Sequence, residues 1–349
     1  MTATESTLRP AAQRSGPGLG GKLGALALLV LVLAAAVLAS LLLGARNVGL
    51  DSVLAALSNV DPADGGQVVV QSRMARTIGA IVVGAALGLA GAGLQGLTRN
   101  PLADTGILGL NAGSSLAVVV VVALAGAASL PLVMAAAFLG AALVMTLVYV
   151  VASVGREGAT PIKLALGGAA LAVGVGSITN TILMISKSTL DEFRMWQIGS
   201  LSGGSLETYL LAVPVIAVGA LVVLSTARAC NAVAMGEDTA IALGINVNRA
   251  RLLGSVGVVL LAGTAIAVAG PIAFVGLMIP HAVRLLVGGD YRWIMPASLL
   301  AGPILLLLAD TAGRLVLPPS EIQVGVMCAM LGGPIFIIMM RSGMKSVKL

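Results

Sequence analysis

The chain has 349 residues, of which 58% are hydrophobic and 10% are charged, and its mean hydropathy is +1.06. An average soluble domain has about 25% charged residues, so this composition excludes an ordinary soluble protein and predicts a polytopic membrane protein. The net charge of +6 would suggest a nucleic-acid partner in a soluble protein, but here the positions of Lys and Arg along the loops set the topology, and we expect no nucleic-acid partner.

The N-terminal residues 1–22 are rich in Pro, Gly, Ser and Arg, which predicts a disordered cytoplasmic tail. The stretch from Gly16 to Leu23 matches the phosphate-binding loop pattern until its last position, where Ser or Thr is required, and no strand precedes it. We therefore expect no nucleotide site here. The apolar run that follows is longer than that of a removed signal peptide, so residues 23–349 are predicted to form one transmembrane domain.

Ten hydrophobic segments are predicted to cross the membrane as helices. They lie at about 23–44, 74–97, 105–126, 131–153, 162–186, 207–226, 251–270, 272–287, 295–315 and 322–340. The least certain division is the one between the seventh and eighth segments, which only Gly270-Pro271 separates. With the N-terminus in the cytoplasm, the inner segments hold 14 Lys and Arg residues and the outer segments hold 6, which predicts that both termini are cytoplasmic.

The second segment contains many Gly and Ala residues, including the pairs Gly84/Gly88 and Gly88/Ala92 at small-xxx-small spacing. Helices in a bilayer associate through close backbone packing, which needs small residues, so this helix is predicted to be buried among others. At an offset of 179 residues its stretch 84–91 matches 263–270, and Pro101 and Ala103 match Pro280 and Ala282. The match predicts two inverted repeats of five helices each.

The loops and helix ends contain the polar candidates. In the inner loop, about 226–250, acidic residues after Gly236 and a later Gly244 predict a short capped helix, which is either a plain linker or a docking element for a partner. At the outer end, Arg73 and Arg76 share one helix face, and Asp310 pairs naturally with Arg314 four residues later.

Other residues that could do chemistry are isolated in the sequence. Cys230 and Cys328 have no neighbouring Cys or His and are predicted to be structural thiols, and the single His281 is predicted to pack or hydrogen-bond instead of binding a metal. Asn100-Pro101 interrupts the helical pattern. We expect no catalytic, metal or cofactor site in this chain.

Several longer motifs resemble the FecCD-type permeases, the membrane subunits of ATP-driven importers for ferric siderophores, haem and vitamin B12. The matching stretches are GAALGLAGAGLQGLTRNPLADTGILGLNAG, GEDTAIALG, GPIAFVGLMIPHAVRLLVGGDYRWIMPAS, ADTAGRL and GGPIFI. They extend from about residue 70 to the C-terminus. The resemblance implies a ten-helix permease in a bacterial inner membrane that pairs with a second copy or a homologue. Two cytoplasmic ATPase subunits, which use ATP and Mg, and an external binding protein are its implied partners.

The resemblance also assigns roles to particular residues. It implies ATPase coupling for Gly236, Glu237, Ala240, Leu243 and Gly244, and docking of the binding protein for Arg73, Arg76 and Arg314. It implies a place near the cytoplasmic gate for Asn100, Pro101, Leu102 and Thr160. From the residues alone, the outer arginines are equally compatible with interfacial snorkelling and Asn100-Pro101 with a simple turn between helices.

Two readings of function from different classes remain at this stage. The first is the permease subunit of an importer that moves a metal chelate inward by alternating access, most often a ferric siderophore in this family, with cobalamin or haem as alternative cargoes. The second is an ion-coupled secondary transporter. The predicted spans contain almost no carboxylate near the membrane midplane, which is evidence against ion coupling. An intramembrane enzyme would need a nucleophile or metal cluster that the sequence lacks.

Overall fold

The computed structural model describes residues 18–44, 49, 51, 65–106, 108–126, 128–154, 159–318 and 320–345. Within these ranges every regular element is a helix, which confirms the predicted all-helical fold. The helices are α1 (Leu19–Leu42), α2 (Gly65–Thr98), α3 (Leu110–Ala125), α4 (Leu130–Ser153), α5 (Pro161–Ile185), α6 (Lys187–Gln197), α7 (Leu206–Ser225), α8 (Ala227–Ala234), α9 (Glu237–Ala242), α10 (Val247–Val258), α11 (Thr264–Ala269), α12 (Val275–Val287), α13 (Tyr291–Val316) and α14 (Val324–Lys345). A π-helical turn, Val259–Gly263, joins α10 to α11.

The ten predicted membrane segments are each represented by a helix. Seven helical runs in the described part of the chain are long and apolar enough to span a membrane, namely α1, α2, α4, α5, α7 with α8, α10 with α11, and α13. Three apolar helices are shorter: α3, α12 and the part of α14 up to Ile338. The division that the sequence placed at Gly270-Pro271 is confirmed, because α11 ends at Ala269 and α12 begins at Val275.

Several predicted boundaries were wrong. α1 begins at Leu19, so residues 19–22, assigned to the tail, are helical, while residues 1–17 lie outside the described part. The third segment starts at Leu110 instead of 105, because a series of turns separates α2 from α3. The first part of the predicted coupling loop is helical, because α8 follows α7 directly and the two form one helical run that ends at Ala234. The non-membrane connection around α9 is therefore shorter than predicted.

Helix α2 lies at the centre of the molecule, as its small residues predicted. A methyl group on Gly84 would overlap the backbone of Gly302 and Pro303 in α13, and one on Gly91 would overlap the backbone of Gly276 in α12. These contacts let the helix axes approach more closely than a side chain would allow. Gln95, near the inner end of α2, is also buried.

The third helix of each predicted five-helix set begins beside the middle of a longer helix. α3 starts after Gly109 and α12 after Phe274, both in left-handed conformation, with φ of 78° and 69°. Gly113 near the start of α3 packs on Gly140 in the middle of α4, and Gly276 near the start of α12 packs on Gly91 in the middle of α2. From these starts α3 runs toward the end that contains Arg73 and α12 toward the opposite end, as inverted repeats would require.

The residue register of the predicted repeat does not match the structure. The offset of 179 pairs Gly91, in the middle of α2, with Gly270, which follows the end of α11 with φ of 71°. It also pairs Pro101, in a turn, with Pro280, inside α12. The matched stretches share a composition of small residues rather than equivalent positions. Duplication itself stays a prediction, supported by the helix order.

Candidate functional site

Two arginines at one end of the molecule bind the C-terminus of α1. Arg73 Nη1 donates to the carbonyl oxygens of Leu41 at 2.9 Å and Leu42 at 3.1 Å. Arg314 donates to the carbonyl oxygens of Ser40 and Leu43, each at 3.1 Å. The last carbonyl groups of a helix have no partner within it, and the helix dipole is negative there, so two guanidinium groups satisfy this end well.

The same arginines belong to a larger charge cluster with one buried carboxylate at its centre. Asp310 lies between Arg76, whose Nη2 is 2.7 Å from Oδ1, and Arg314, whose Nε is 3.1 Å from Oδ2. Arg76 also pairs with Glu321. The predicted pairing of Asp310 with Arg314 is therefore confirmed, and it extends to a second arginine on α2.

Burial divides the three arginines that were predicted to dock a binding protein. Arg73 and Arg314 are only 6% and 2% exposed and face the interior. The Arg76 side chain is 12% exposed, and that of its partner Glu321 is 36% exposed. Docking by these arginines stays a prediction, and the structure adds an internal role for two of them and a glutamate at the accessible edge of the cluster.

The break after α2 is a tight turn followed by further turns. Arg99 has φ of 51°, and the Asn100 side chain accepts a hydrogen bond from the backbone N–H of Leu102 at 2.9 Å. In such a turn the Asn side chain takes the place of a backbone carbonyl, and here the turn lies around Pro101 and ends α2. Thr160 is the N-cap of α5 and accepts from the N–H of Lys163 at 3.4 Å. Among the described residues no hydrogen bond joins Thr160 to Asn100 or Leu102, so their shared place at a gate stays a prediction.

The turns between α2 and α3 contain a carboxylate, Asp104, that was not among the predicted site residues. A methyl group on Gly276 would lie 2.8 Å from Oδ1 of Asp104, and the backbone of Thr105 and Gly106 also faces this carboxylate. Because Gly276 packs on Gly91, seven residues before the end of α2, Asp104 lies about 10 Å inside that end. The predicted third span began at 105 and so left Asp104 outside it.

The position of Asp104 is relevant to whether transport is coupled to an ion gradient. An ionisable residue inside the membrane is a candidate for function; Asp310 is buried within α13, and Asp104 faces Gly276 at the start of α12. Asp310 lies near the end of α13 with the arginine cluster and Asp104 nearer the opposite end, so the near absence of carboxylates at the midplane stays a prediction. The choice between the two classes of transporter has to come from other observations.

The predicted coupling residues form a compact unit at the end opposite the arginine cluster. Helix α9 begins after Gly236, has Glu237 in its first turn and ends before Gly244, as predicted. Its C-terminus is closed by the pair of hydrogen bonds of a Schellman motif: the N–H of Ile245 donates to the carbonyl of Ala240, and the N–H of Gly244 donates to that of Ile241. Gly244 has φ of 79°, a conformation that favours glycine.

One face of α9 is fixed to the molecule and the other is exposed. Ala240 is fully buried against α8, and Glu237 pairs with the buried Arg251 of α10. Ile241 in α9, and Met235 and Leu243 on either side of this helix, are each more than half exposed. Exposed apolar side chains in and beside a short, tightly held helix fit an element that docks onto another protein.

The remaining isolated residues occupy the core or a polar cavity. Cys230 and Cys328 are both free and buried. His281 lines a cavity at the same end of the molecule as α9. In the described ranges no three His, Cys, Asp or Glu side chains come together as a metal site would require.

Comparisons with known proteins agree on one family. The model of the FecCD transport family matches residues 30–342. A ferric enterobactin transport system permease of Escherichia coli is 43% identical over 315 residues, which cover 90% of this chain and 93% of that protein. A hemin transport system permease of Yersinia pestis is 36% identical over 272 residues, which cover 76% of this chain and 80% of that one. A metal-chelate type ABC transporter solved in an inward-facing conformation has a TM-score of 0.80 at 26% identity, covering 92% of this chain and 99% of its own.

Proposed function

The chain belongs to the FecCD transport family, and from this membership we propose that it is the membrane-spanning permease subunit of an ATP-binding-cassette importer for a ferric siderophore. The observation on which the proposal rests is the 43% identity to a ferric enterobactin permease over nearly the whole of both chains. It is a transport subunit, and ATP is hydrolysed by a separate partner. Haem and cobalamin are the alternative cargoes, and similarity does not separate them, because a hemin permease is 36% identical and a cobalamin import permease is 38% identical to this chain.

The proposed topology follows from which residues share an end of the molecule. The arginine cluster at Arg73, Arg76 and Arg314 lies at one end, and α8, α9 and Arg284 lie at the other. The second end also contains the segments that were predicted to be cytoplasmic on the excess of Lys and Arg. We assign α9 to the cytoplasm and the arginine cluster to the outer face of a bacterial inner membrane, with both termini inside.

A second copy or a homologue completes the proposed transport path. Helix α5 is the least buried of the long membrane helices in the described ranges, and its Gly167, Gly174 and Gly176 have open space where a side chain would be. Small residues on an exposed membrane helix allow close approach of another helix. The path then lies between two permeases, each contributing α5.

The coupling of ATP hydrolysis to transport is assigned to α9. Two cytoplasmic ATPase subunits dock on the exposed side of this helix, and their closure moves it together with α8 and α10, to which Ala240 and Glu237 bind it. The movement reaches the stretch Asn100-Pro101-Leu102 at the inner end of α2, which opens or closes the path. Alternating access of this kind needs no covalent chemistry in the permease.

Delivery of the chelate is assigned to the outer charge cluster. Arg76 and Glu321 form its accessible edge, and carboxylates of an external binding protein bind Arg76 in competition with Glu321. Charge pairs at such a rim steer association and fix its orientation more than they raise affinity. Arg73 and Arg314 contribute by holding α1 beneath that rim.

The proposal is tested by reconstituting the permease in liposomes with its ATPase and binding protein. Uptake of the iron-loaded siderophore should require all three proteins and internal ATP, and an ATPase that binds but does not hydrolyse ATP should abolish it. Uptake by the permease alone along a proton or sodium gradient would instead establish a secondary transporter. Parallel assays with haemin and cyanocobalamin decide the cargo.

A further inference from the structure

A polar cavity of about 440 Å³ opens beside the coupling helix, and its role goes beyond the predicted sites. Gln95 in the last turn of α2 and Arg99, directly after this helix, form one wall, and His281 and Arg284 of α12 form another. Ala234, the last residue of α8, lies at its edge, three positions before α9 begins. The cavity therefore lies next to the connection that leads from α8 into α9.

The charges around this cavity have one sign. Arg99 and Arg284 both line it, and none of the described residues that line it is acidic. The nearest carboxylate along the chain is Asp290, which is already bound by Arg292 and by the side chain of Asn231 at 2.6 Å. An anionic group entering the cavity would meet two guanidinium groups and no repulsion from a lining carboxylate.

Arg284 is held ready to bind such a group. Its Nη1 donates to Oε1 of Gln95 at 2.8 Å and its Nη2 donates to the hydroxyl of Tyr291 at 2.9 Å. The guanidinium also lies 5.6 Å from the centre of the Tyr291 ring. Each terminal nitrogen has a second hydrogen, and within the described ranges Arg284 forms no ion pair, so a half-buried charge lacks a counterion.

The partners of Arg284 connect the cavity to both ends of the proposed coupling path. Gln95 donates in turn to the carbonyl oxygens of Gly276 and Leu277 at 3.1 and 3.2 Å, in the first turn of α12. On the other side, Asn231 of α8 accepts from the backbone N–H of Tyr291 at 2.9 Å. A carboxylate that bound Arg284 would thus contact a network joining α8, α12 and α2.

We infer that this cavity receives an aspartate or glutamate side chain of the ATPase subunit, which binds Arg284 when the subunit docks on α9. The inference rests on the proposed function and adds a charged contact to the apolar docking surface. A carboxylate matches the planar fork of a guanidinium, and a protein side chain fits a cavity that adjoins a protein-docking helix. Through Arg284 and Gln95, this contact links the ATPase to the end of α2 that precedes Asn100.

The first test measures binding of the ATPase to the full-length permease in lipid nanodiscs at low and high salt. Arg284→Gln should weaken binding about tenfold and reduce its salt dependence, and Arg99→Gln at the rim should weaken it less. Arg292→Gln is the matched control, because it removes the same charge from an exposed arginine that does not line the cavity and is paired with Asp290. Thermal unfolding of each variant separates a folding defect from a binding defect.

A second test identifies the partner residue directly. Arg284→Lys keeps the positive charge and places an amine in the cavity, and a zero-length carbodiimide reagent should then couple it to one carboxylate of the ATPase, which mass spectrometry locates. Binding of Arg284→Gln equal to wild type in a folded protein, or coupling only to carboxylates of the permease itself, would overturn the inference. Failure of the wild-type permease to bind any ATPase would overturn the proposed function instead.

Discussion

Arg314 is a single residue that joins three parts of the molecule. It belongs to α13, donates to the last carbonyl groups of α1 and pairs with Asp310, which in turn binds Arg76 of α2. With Arg73 the cluster holds three guanidinium groups and two carboxylates. The negative end of the α1 dipole balances part of the remaining positive charge.

Removing Arg314 should therefore destabilise the protein. Arg314→Gln leaves α1 carbonyl groups without donors and removes one of the two charges that neutralise the buried Asp310, which we expect to cost about 3 kcal/mol. Thermal unfolding in detergent measures the effect. Arg194→Gln is the control, because Arg194 and its partner Asp191 are both exposed and 3.9 Å apart, and such a pair contributes about 0–1 kcal/mol. Equal melting temperatures for the two variants would contradict the capping role.

Asp290, in the short connection between α12 and α13, predicts a specific pH dependence. The Arg292 side chain, followed by its backbone N–H and by Asn231, lowers the pKa of this carboxyl from 3.8 to about 2. A lowered pKa stabilises the folded state above the unfolded value, and this contribution disappears as the pH falls from about 4 to about 2.

The check is a series of melting temperatures between pH 7 and pH 2 for wild type and Asp290→Asn. The difference between them should be constant above about pH 5 and should shrink as the pH approaches 2, because the wild-type carboxyl is then protonated. A difference that stays constant down to pH 2 would show that the carboxyl has no lowered pKa.

At the scale of single elements, α9 combines a rigid attachment with an exposed apolar side. Its Schellman motif requires the left-handed Gly244, so a large residue there would strain the helix end as well as block docking. Leu243, directly before it, is exposed and has ordinary backbone angles. Leu243 is therefore the better position for a test of docking.

Leu243→Asp should weaken ATPase binding at least tenfold without changing the melting temperature, because it places a charge where an apolar contact is proposed. Thr239→Asp adds the same charge to the same helix near its N-terminus, where the helix dipole favours it, and should have a much smaller effect. Binding measured in nanodiscs decides between them. Unchanged affinity for Leu243→Asp would exclude this surface as the docking site.

The half-length helices α3 and α12 indicate what the sequence could and could not predict. Hydropathy located both segments, because their residues are apolar throughout. It could not locate their starts, since apolar residues continue through the turns before α3 and no pattern marks the left-handed Phe274 before α12. For the same reason the predicted third span left out Asp104, which faces Gly276 in the first turn of α12.

The sequence was enough to predict which residues form the candidate site, but not which of their side chains are buried. The spacing of Gly236, Glu237 and Gly244 was enough to predict α9, because capping is a local property of the chain. The interior position of Arg73 depends on carbonyl groups more than 30 residues away, which no local pattern reveals. The link between Gln95 and Arg284 is likewise long-range and was not predicted.

At the scale of the whole molecule, the exposed helices indicate where a second permease binds. Helices α1 and α5 are the least buried of the long spans in the described ranges, but α1 is bound at its outer end by Arg73 and Arg314. In α5, Gly167 and Gly174 are seven residues apart and so lie on the same face. This face is the proposed contact between two copies.

Gly174→Leu should reduce pairing of the permeases by about 1–3 kcal/mol, because a large side chain would separate the two helices. Gly24→Leu in α1 is the matched control, since Gly24 also has open space around it and is not on α5. Counting subunits by single-molecule photobleaching in liposomes measures the fraction of dimers. Equal dimer fractions in both variants would place the contact elsewhere.

The hydrogen bonds of Arg73 and Arg314 to the C-terminus of α1 have a consequence for biosynthesis. A membrane protein is inserted from its N-terminus onward, yet the carbonyl of Ser40 receives its donor from Arg314, 274 residues later in translation. Arg73 can bind α1 soon after α2 is inserted, but Arg314 can donate to the carbonyl of Ser40 only when α13 has entered the bilayer. Nascent chains that stop before residue 314 should leave α1 half-attached and open to quality-control proteases, so completion of the ninth span is the step that commits the permease to its final form.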